Sequence, residues 1–384
     1  MQGKMPHQPT IRRAAGSLLV VGLAGPELTG LERAWMRLVR PGGIILFKRN
    51  IADPAQTRAL LIEATGLASP HALRCVDIEG GTVNRLRDAL APLPSAQSVA
   101  AAARSLRKPS LARQHGELIG RAARAFGFNT TLAPVLDLAL PEAAEVMGLR
   151  TAGSSPTEVV AYAREFLAGL ASQQIASCGK HFPGLGGASG DTHLLTPSIR
   201  RDFEQLWAED IAPYRDLHRA LPIVMINHAA YPKTRSGKTP ASASPFWITA
   251  VLRKRIGYRG LIFSDDLEMG GILKCMSIEE AAVSAIRAGM DLIEICHSPE
   301  LILRSYEALL AEAERSAAFR KLLIRRARTT VLQRERFFAQ PASRPLTDSQ
   351  MRALRNRILC FNEMVAAASG ADNASKSISL VEVS

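Results

Sequence analysis

The stretch "IASCGKHFPGLGGASGDTHLLTP", residues 175–197, begins as an apolar run and ends as a glycine-rich loop carrying a lysine, two histidines and an aspartate. Its first part, 175–179, has the length and residue types of a buried strand. The same change recurs along the chain: short apolar runs at 17–23, 43–47, 73–77, 131–135, 175–179, 222–226, 260–264 and 291–295 make eight candidate strands. Between most of them lie amphipathic segments of about twelve residues or more, the length of helices in strand–helix repeats. Two of these carry helix starts, Ser155 with Pro156 and Glu158, and Ser277 with Glu280, and Gly289 is placed to cap the end of the second. Eight strands each feeding a helix predict an α/β fold, a (β/α)8 TIM-type barrel in a single domain with additional C-terminal helices. The barrel and its helices are expected over 17–366, after an extension at 1–16 and before a small, polar tail at 367–384 expected to be disordered.

In such a barrel the chemistry gathers where chains leave the C-terminal ends of strands. After the third run comes "DIEGGTVNRLR", after the fourth "LDLALPEAAEVMGLRTAG", after the fifth the loop quoted above, after the sixth "NHAAYP" and after the seventh "DDLEMGG". One polar strand end is unremarkable, because loops are polar. Five in succession define a candidate site.

The composition narrows the class. At 384 residues and 47% hydrophobic, the chain can bury a large core. Its longest apolar runs fall short of the roughly 20 residues that span a membrane, and no signal-peptide cleavage pattern follows the first run. Five cysteines, Cys75, Cys178, Cys275, Cys296 and Cys360, show no CxxC spacing. An odd, scattered set favours a reducing cytoplasm. The net charge of +13 is concentrated beyond residue 300, where arginines alternate with leucines and isoleucines at helical spacing. That pattern fits the solvated face of amphipathic helices, and with aromatics at only 5% and no zinc-finger spacing it argues against nucleic acid as a partner. Nothing in the sequence fixes an oligomeric state.

Several chemistries lack their signatures. His181, His193 and His228 stand near aspartates, but neither HExxH nor a Cys–His cluster is present, so no metal is expected. A GxSxG nucleophile turn is also absent. Carboxylate chemistry fits better: hydrolysis of a glycosidic bond with retention needs a carboxylate nucleophile and an acid/base about 5 Å away across the sugar. Asp265 and Asp266 are both nucleophile candidates. Asp191 and His193, in "DTH", can form a dyad in which the aspartate fixes the imidazole that moves the proton.

Read together, "GGIILFKRNI", "VDIEGGTVNRLR", "NTTLAPVLDL", "KHFPG", "DTH", "PASASPFWITAVLRKRIGYRGLIFSDDLEMGGI" and "AAVSAIRAGMDLIEICH" resemble glycoside hydrolase family three, specifically its compact single-domain β-N-acetylglucosaminidases, from about residue 17 to 300. The resemblance implies that Asp265 is the nucleophile and Asp266 a structural group. It makes His193 the acid/base with Asp191 as its partner, and assigns Asp77, Arg85, Arg150, Lys180 and His181 to the sugar ring; from the residues alone, Asp77 and Arg85 also fit a structural ion pair at the rim. Leu185, where the family usually has a second histidine, Thr82, where it often has arginine, and the missing aromatic after Arg150 depart from the pattern.

The implied function is a retaining exo-β-N-acetylglucosaminidase that needs no cofactor. Its implied substrate is a small carbohydrate, a muropeptide fragment bearing N-acetylglucosamine on anhydro-N-acetylmuramic acid, recycled in a bacterial cytoplasm. The alternative within the same fold is a phosphorylase, with phosphate in place of water.

Overall fold

A computed structural model of the protein describes residues 10–187, 197–338 and 344–381, with side chains as far as residue 370. Its strands are β1 (Leu19–Gly22), β2 (Gly43–Leu46), β3 (Leu73–Val76), β4 (Ile78–Gly80), β5 (Val83–Asn84), β6 (Thr130–Thr131), β7 (Ala176–Phe182), β8 (Ile223–Ile226), β9 (Leu261–Asp266) and β10 (Leu292–Ile295). Eight of them close a barrel in the order β1-β2-β3-β6-β7-β8-β9-β10, and every neighbouring pair, including β10 with β1, is parallel. The fold is the TIM-type barrel expected from the eight apolar runs. Those runs are continuous rather than alternating because parallel strands are covered on both faces. Every residue of β1, β2, β8 and β10 is buried accordingly. The remaining two strands, β4 and β5, form an antiparallel hairpin beyond β3.

Pairing within the fourth run is shorter than the sequence predicts. Only Thr130 and Thr131 join the ladder on both sides, and an isolated bridge from Val135 to Lys180 continues the path. Pro134 interrupts it, because proline has no N–H to give to a neighbouring strand. In contrast, β7 and β9 run on past their apolar halves. Lys180, His181 and Asp265 therefore sit within pairing strands rather than on free loops.

Two sets of side chains make the core. Inside the barrel, residues such as Cys75, Cys178, Met225, Phe263 and Leu292 form one cluster; a much larger one lies between the barrel and its helices. The helix starts behave as their sequences require. Ser155 and Ser277 each close a reciprocal cap with Glu158 and Glu280, and Gly289 ends its helix in the left-handed conformation at φ 116°.

The chain's ends differ from expectation. Residues Ile11–Gly16, placed in an extension by sequence, form a helix capped by Thr10 with Ala14, Ala15 and Gly16 buried. The final helix, Asp348–Val381, crosses into the segment expected to be disordered. It continues turns anchored by the buried Leu354, Ile358, Phe361 and Val365. Nor are all the arginines of Ala317–Phe337 solvated: Arg326 pairs with Asp291, and Arg334 is fully buried. Among helices of the described residues, none is long and apolar enough to cross a membrane.

Candidate active site

The strand ends surround a cavity of about 500 Å³, within the range that holds a small ligand. Asp77, Arg85, Arg150, Lys180, His181 and Asp265 all line it. Of the residues singled out by sequence, these six come together; Asp191 and His193 lie outside the described residues.

The floor on one side is an ion cluster that sequence reasoning saw only in part. Lys180, on β7, places its Nζ 2.8 Å from Asp77 Oδ1 and 2.7 Å from Glu79 Oε1. Glu79 also accepts both arms of Arg150, with Nε to Oε2 and Nη2 to Oε1 each 2.8 Å. Burial alone would raise the Glu79 carboxyl, but Lys180 and Arg150 outweigh it and hold the group well below the usual carboxylate range. Burial would likewise lower Lys180, yet Asp77 and Glu79 raise it above an ordinary lysine. Glu79, Lys180 and Arg150 therefore keep their charges in a largely buried setting, where such bonds are strong.

Glu79 reaches the cluster because the β4–β5 hairpin folds back over β3. Gly80 makes this possible: its φ is +94°, and a Cβ there would lie 2.1 Å from the carbonyl oxygen of Pro94. Arg85 leaves the hairpin with Nη2 3.8 Å from Asp77 Oδ2 and its guanidinium over the Phe47 ring. The rim ion pair and the cavity position are thus both present at Asp77 and Arg85.

Asp137, from the loop after β6, organises the next wall. Its Oδ2 lies 2.7 Å from His181 Nδ1 and accepts the His181 N–H, while Oδ1 accepts the N–H of Leu185 at 2.7 Å. A carboxylate that accepts from Nδ1 puts the imidazole proton there, leaving Nε2 as the acceptor facing Arg150 Nη2 at 3.4 Å. The Lys180–His181 peptide is cis. Leu185, the departure from the family pattern, is buried in the cavity wall and anchored through its own backbone. Thr82 is exposed at the hairpin turn.

Asp265 lies near the end of β9, its Oδ1 accepting the Asp266 N–H at 3.0 Å. Burial would raise its carboxyl, but His181, His228 and Lys180 more than compensate, and it lies below the ordinary aspartate value. His228 donates Nε2–H to the Asp266 carbonyl at 2.9 Å and accepts the Ser242 hydroxyl at Nδ1, 2.7 Å away. Both its nitrogens are committed, and burial lowers its pKa. Asp266 behaves differently from its neighbour: burial, with Glu268 and Asp265 nearby, pushes it up to about 7. Two adjacent carboxyls are therefore driven apart, one ionised and one near-neutral.

Among the described residues, one group could present three ligand atoms to a cation, Asp266, Glu268 and His297. Glu268 is already committed: its carboxylate accepts the N–H groups of Cys296, His297 and Ser298, which fixes the turn after β10.

This geometry can be set beside known proteins. Residues 10–328 match the glycosyl hydrolase family 3 N terminal domain. The chain belongs to that family. It is 39% identical over 288 residues to a beta-hexosaminidase of Methylococcus capsulatus, covering 75% of this chain and 85% of the relative. Among solved structures, it resembles a family 3 β-N-acetylglucosaminidase of Paenibacillus sp. str. FPU-7 at a TM-score of 0.82 and 31% identity, over 91% of this chain and 68% of that one. It also resembles NagZ of Neisseria gonorrhoeae at a TM-score of 0.73 and 29% identity, over 91% and 97%. Membership makes the chain a glycosyl hydrolase, and places the cavity at the end of the barrel where a TIM-barrel enzyme carries its site.

Sequence reasoning missed Glu79 and Asp137 as members of the site. Both lay inside quoted motifs, two residues after Asp77 and at the end of "APVLD", as acids close to a strand end.

Proposed function

We propose that this chain is a retaining exo-β-N-acetylglucosaminidase in which Asp265 is the nucleophile and His193, oriented by Asp191, is the acid/base. An Asp265 carboxylate oxygen bonds to the anomeric carbon while the glycosidic C–O bond breaks, and the departing oxygen takes a proton from His193. Water then attacks the same carbon, gives its proton to His193 and releases the Asp265 carboxylate. One observation carries the reading: an Asp265 held ionised shares a cavity with the Asp77, Arg85, Arg150, Lys180 and His181 assigned to the sugar. The names of the relatives support the N-acetylhexosamine specificity.

For the substrate we take a muropeptide fragment bearing N-acetylglucosamine on anhydro-N-acetylmuramic acid. The rim favours such an anionic aglycone through Arg85 on the cavity and Arg49, whose guanidinium lies 3.1 Å from His297 Nδ1 at its edge. A cytoplasmic setting accords with five free cysteines, three of them buried.

The test is hydrolysis of 4-nitrophenyl N-acetyl-β-D-glucosaminide by wild type, Asp265→Ala and His193→Ala, with the first-formed anomer read by NMR. Loss of turnover in both variants and an initial β-anomer are expected. Near-normal rates in Asp265→Ala, an inverted product, or a requirement for phosphate with release of a sugar 1-phosphate would overturn the mechanism.

A further inference from the structure

One acid in the cavity is used by nothing described above. Glu294 lies on β10, where alternation turns Leu292, Glu294 and Cys296 the same way. Leu292 and Cys296 belong to the barrel's interior cluster, and Glu294 and Cys296 line the cavity together with Asp265. The position is fixed from the backbone: Glu294 pairs across the sheet with Asp266, and its N–H donates to Ser264 Oγ at 3.0 Å.

Its side chain is less well served. Cys296 Sγ donates to Oε1 at 3.0 Å, while Oε2 is buried without a hydrogen-bond partner, in a residue only 3% exposed. Burial first, and then the carboxylates of Asp266, Asp77 and Asp265, push the Glu294 carboxyl well above the usual range. A carboxyl oxygen buried beside a cavity and bonded to nothing is rare in proteins. A residue that only filled space would be better as leucine or methionine, which the same interior uses at Leu292 and Met225.

We propose that Glu294 is a specificity-determining residue of the sugar pocket, its carboxyl hydrogen-bonding a ring hydroxyl of the glycone seated against Asp265. The inference rests on the glycosidase reading above.

The test compares wild type, Glu294→Gln, Glu294→Leu and Glu294→Met on 4-nitrophenyl N-acetyl-β-D-glucosaminide and on its 3-deoxy, 4-deoxy and 6-deoxy analogues. The apolar variants are expected to keep the wild-type melting temperature, since each removes a buried unpaired polar atom. On the parent sugar they should lose about 10- to 100-fold in kcat/KM, the worth of one hydrogen bond in a dry pocket. Glu294→Gln, which keeps a hydrogen-bonding head of the same size, should recover most of that loss. On the analogue lacking the contacted hydroxyl, wild type and the apolar variants should be equal. Apolar variants that match wild type on the parent overturn the inference, and so does a deficit that is the same on the parent and all three analogues, the mark of a merely structural role. A wild type that fails to cleave the parent glycoside overturns the glycosidase reading itself; wild-type cleavage with unimpaired apolar variants overturns only the role of Glu294.

Discussion

The two ends of the barrel bury a cation each, and treat it in opposite ways. At the mouth, Lys180 sits between Asp77 and Glu79, and its pKa is raised. At the base, Arg334 meets no carboxylate among the described residues: it donates to the carbonyl of Gly42 and to Ser69 Oγ at 3.2 Å, and burial lowers it to about 10. Its neighbours Phe337 and Phe338 pack against the barrel's interior cluster and plug that end. The mouth thus holds charge in a cavity, and the base holds shape in a closed core. Paired charges with spare lone pairs suit a hydroxyl-rich ligand, whereas a cation on neutral carbonyls ties one element to another.

The difference can be broken from either side. The largest effect should come from Asp265→Ala, which removes the proposed nucleophile and should lower kcat by at least about 1,000-fold. Thermal unfolding of that variant should stay close to wild type. Next, Glu79→Ala strips Lys180 and Arg150 of a shared partner. Leaving buried charge uncompensated costs about 3–5 kcal/mol, so both the melting temperature and kcat/KM should fall. A variant that lost activity at unchanged stability would mean that the cluster serves the ligand alone. Arg334→Met should do the reverse. Losing the bonds to Gly42 and Ser69 should cost about 1–3 kcal/mol in urea unfolding while kcat/KM holds.

The smallest effect concerns acid. The Glu79 carboxyl is depressed in the folded state, so its contribution is complete above the unfolded value of about 4.3 and is lost as pH falls through the folded one. Arg334 is lowered to about 10, so the penalty for burying its charge is constant below that pH and relieved only above it. Stability measured by urea between about pH 3 and 7 should therefore fall toward acid in wild type and Arg334→Met, and more shallowly in Glu79→Gln. Equal slopes in all three would show that the mouth is not the acid-labile end.

How much of this was legible depended on the range of the interaction. The strands could be read because a parallel strand is buried on both faces, so β8 is four apolar residues in a row, "IVMI". The caps at Ser155 and Ser277 were legible because both partners lie three residues apart. Most residues lining the cavity were visible as strand ends, and the resemblance of whole motifs selected among them. The pairings were not. Glu79 meets Arg150 across 71 positions and Arg334 meets Gly42 across 292, and neither partner carries a local mark of the other. For the same reason an arginine among leucines was read as a solvated face, and only the fold revealed Arg334 inside. Leu185 was a puzzle as a missing histidine; as a backbone donor to Asp137 it needs no particular side-chain chemistry.

The last helix gives the chain a practical sensitivity. Residues 348–381 lie beyond the matched family domain, yet the helix packs on Ala96–Ser105 and Ser110–Ala125, and its Phe361 ring stacks 6.0 Å from that of His115. His115 in turn stands 3.0 Å from where a Cβ of Gly80 would be, at the hairpin that delivers Glu79 to Lys180. Trimming the chain back past Phe361 would thus reach, through two side chains, the hairpin that carries Glu79.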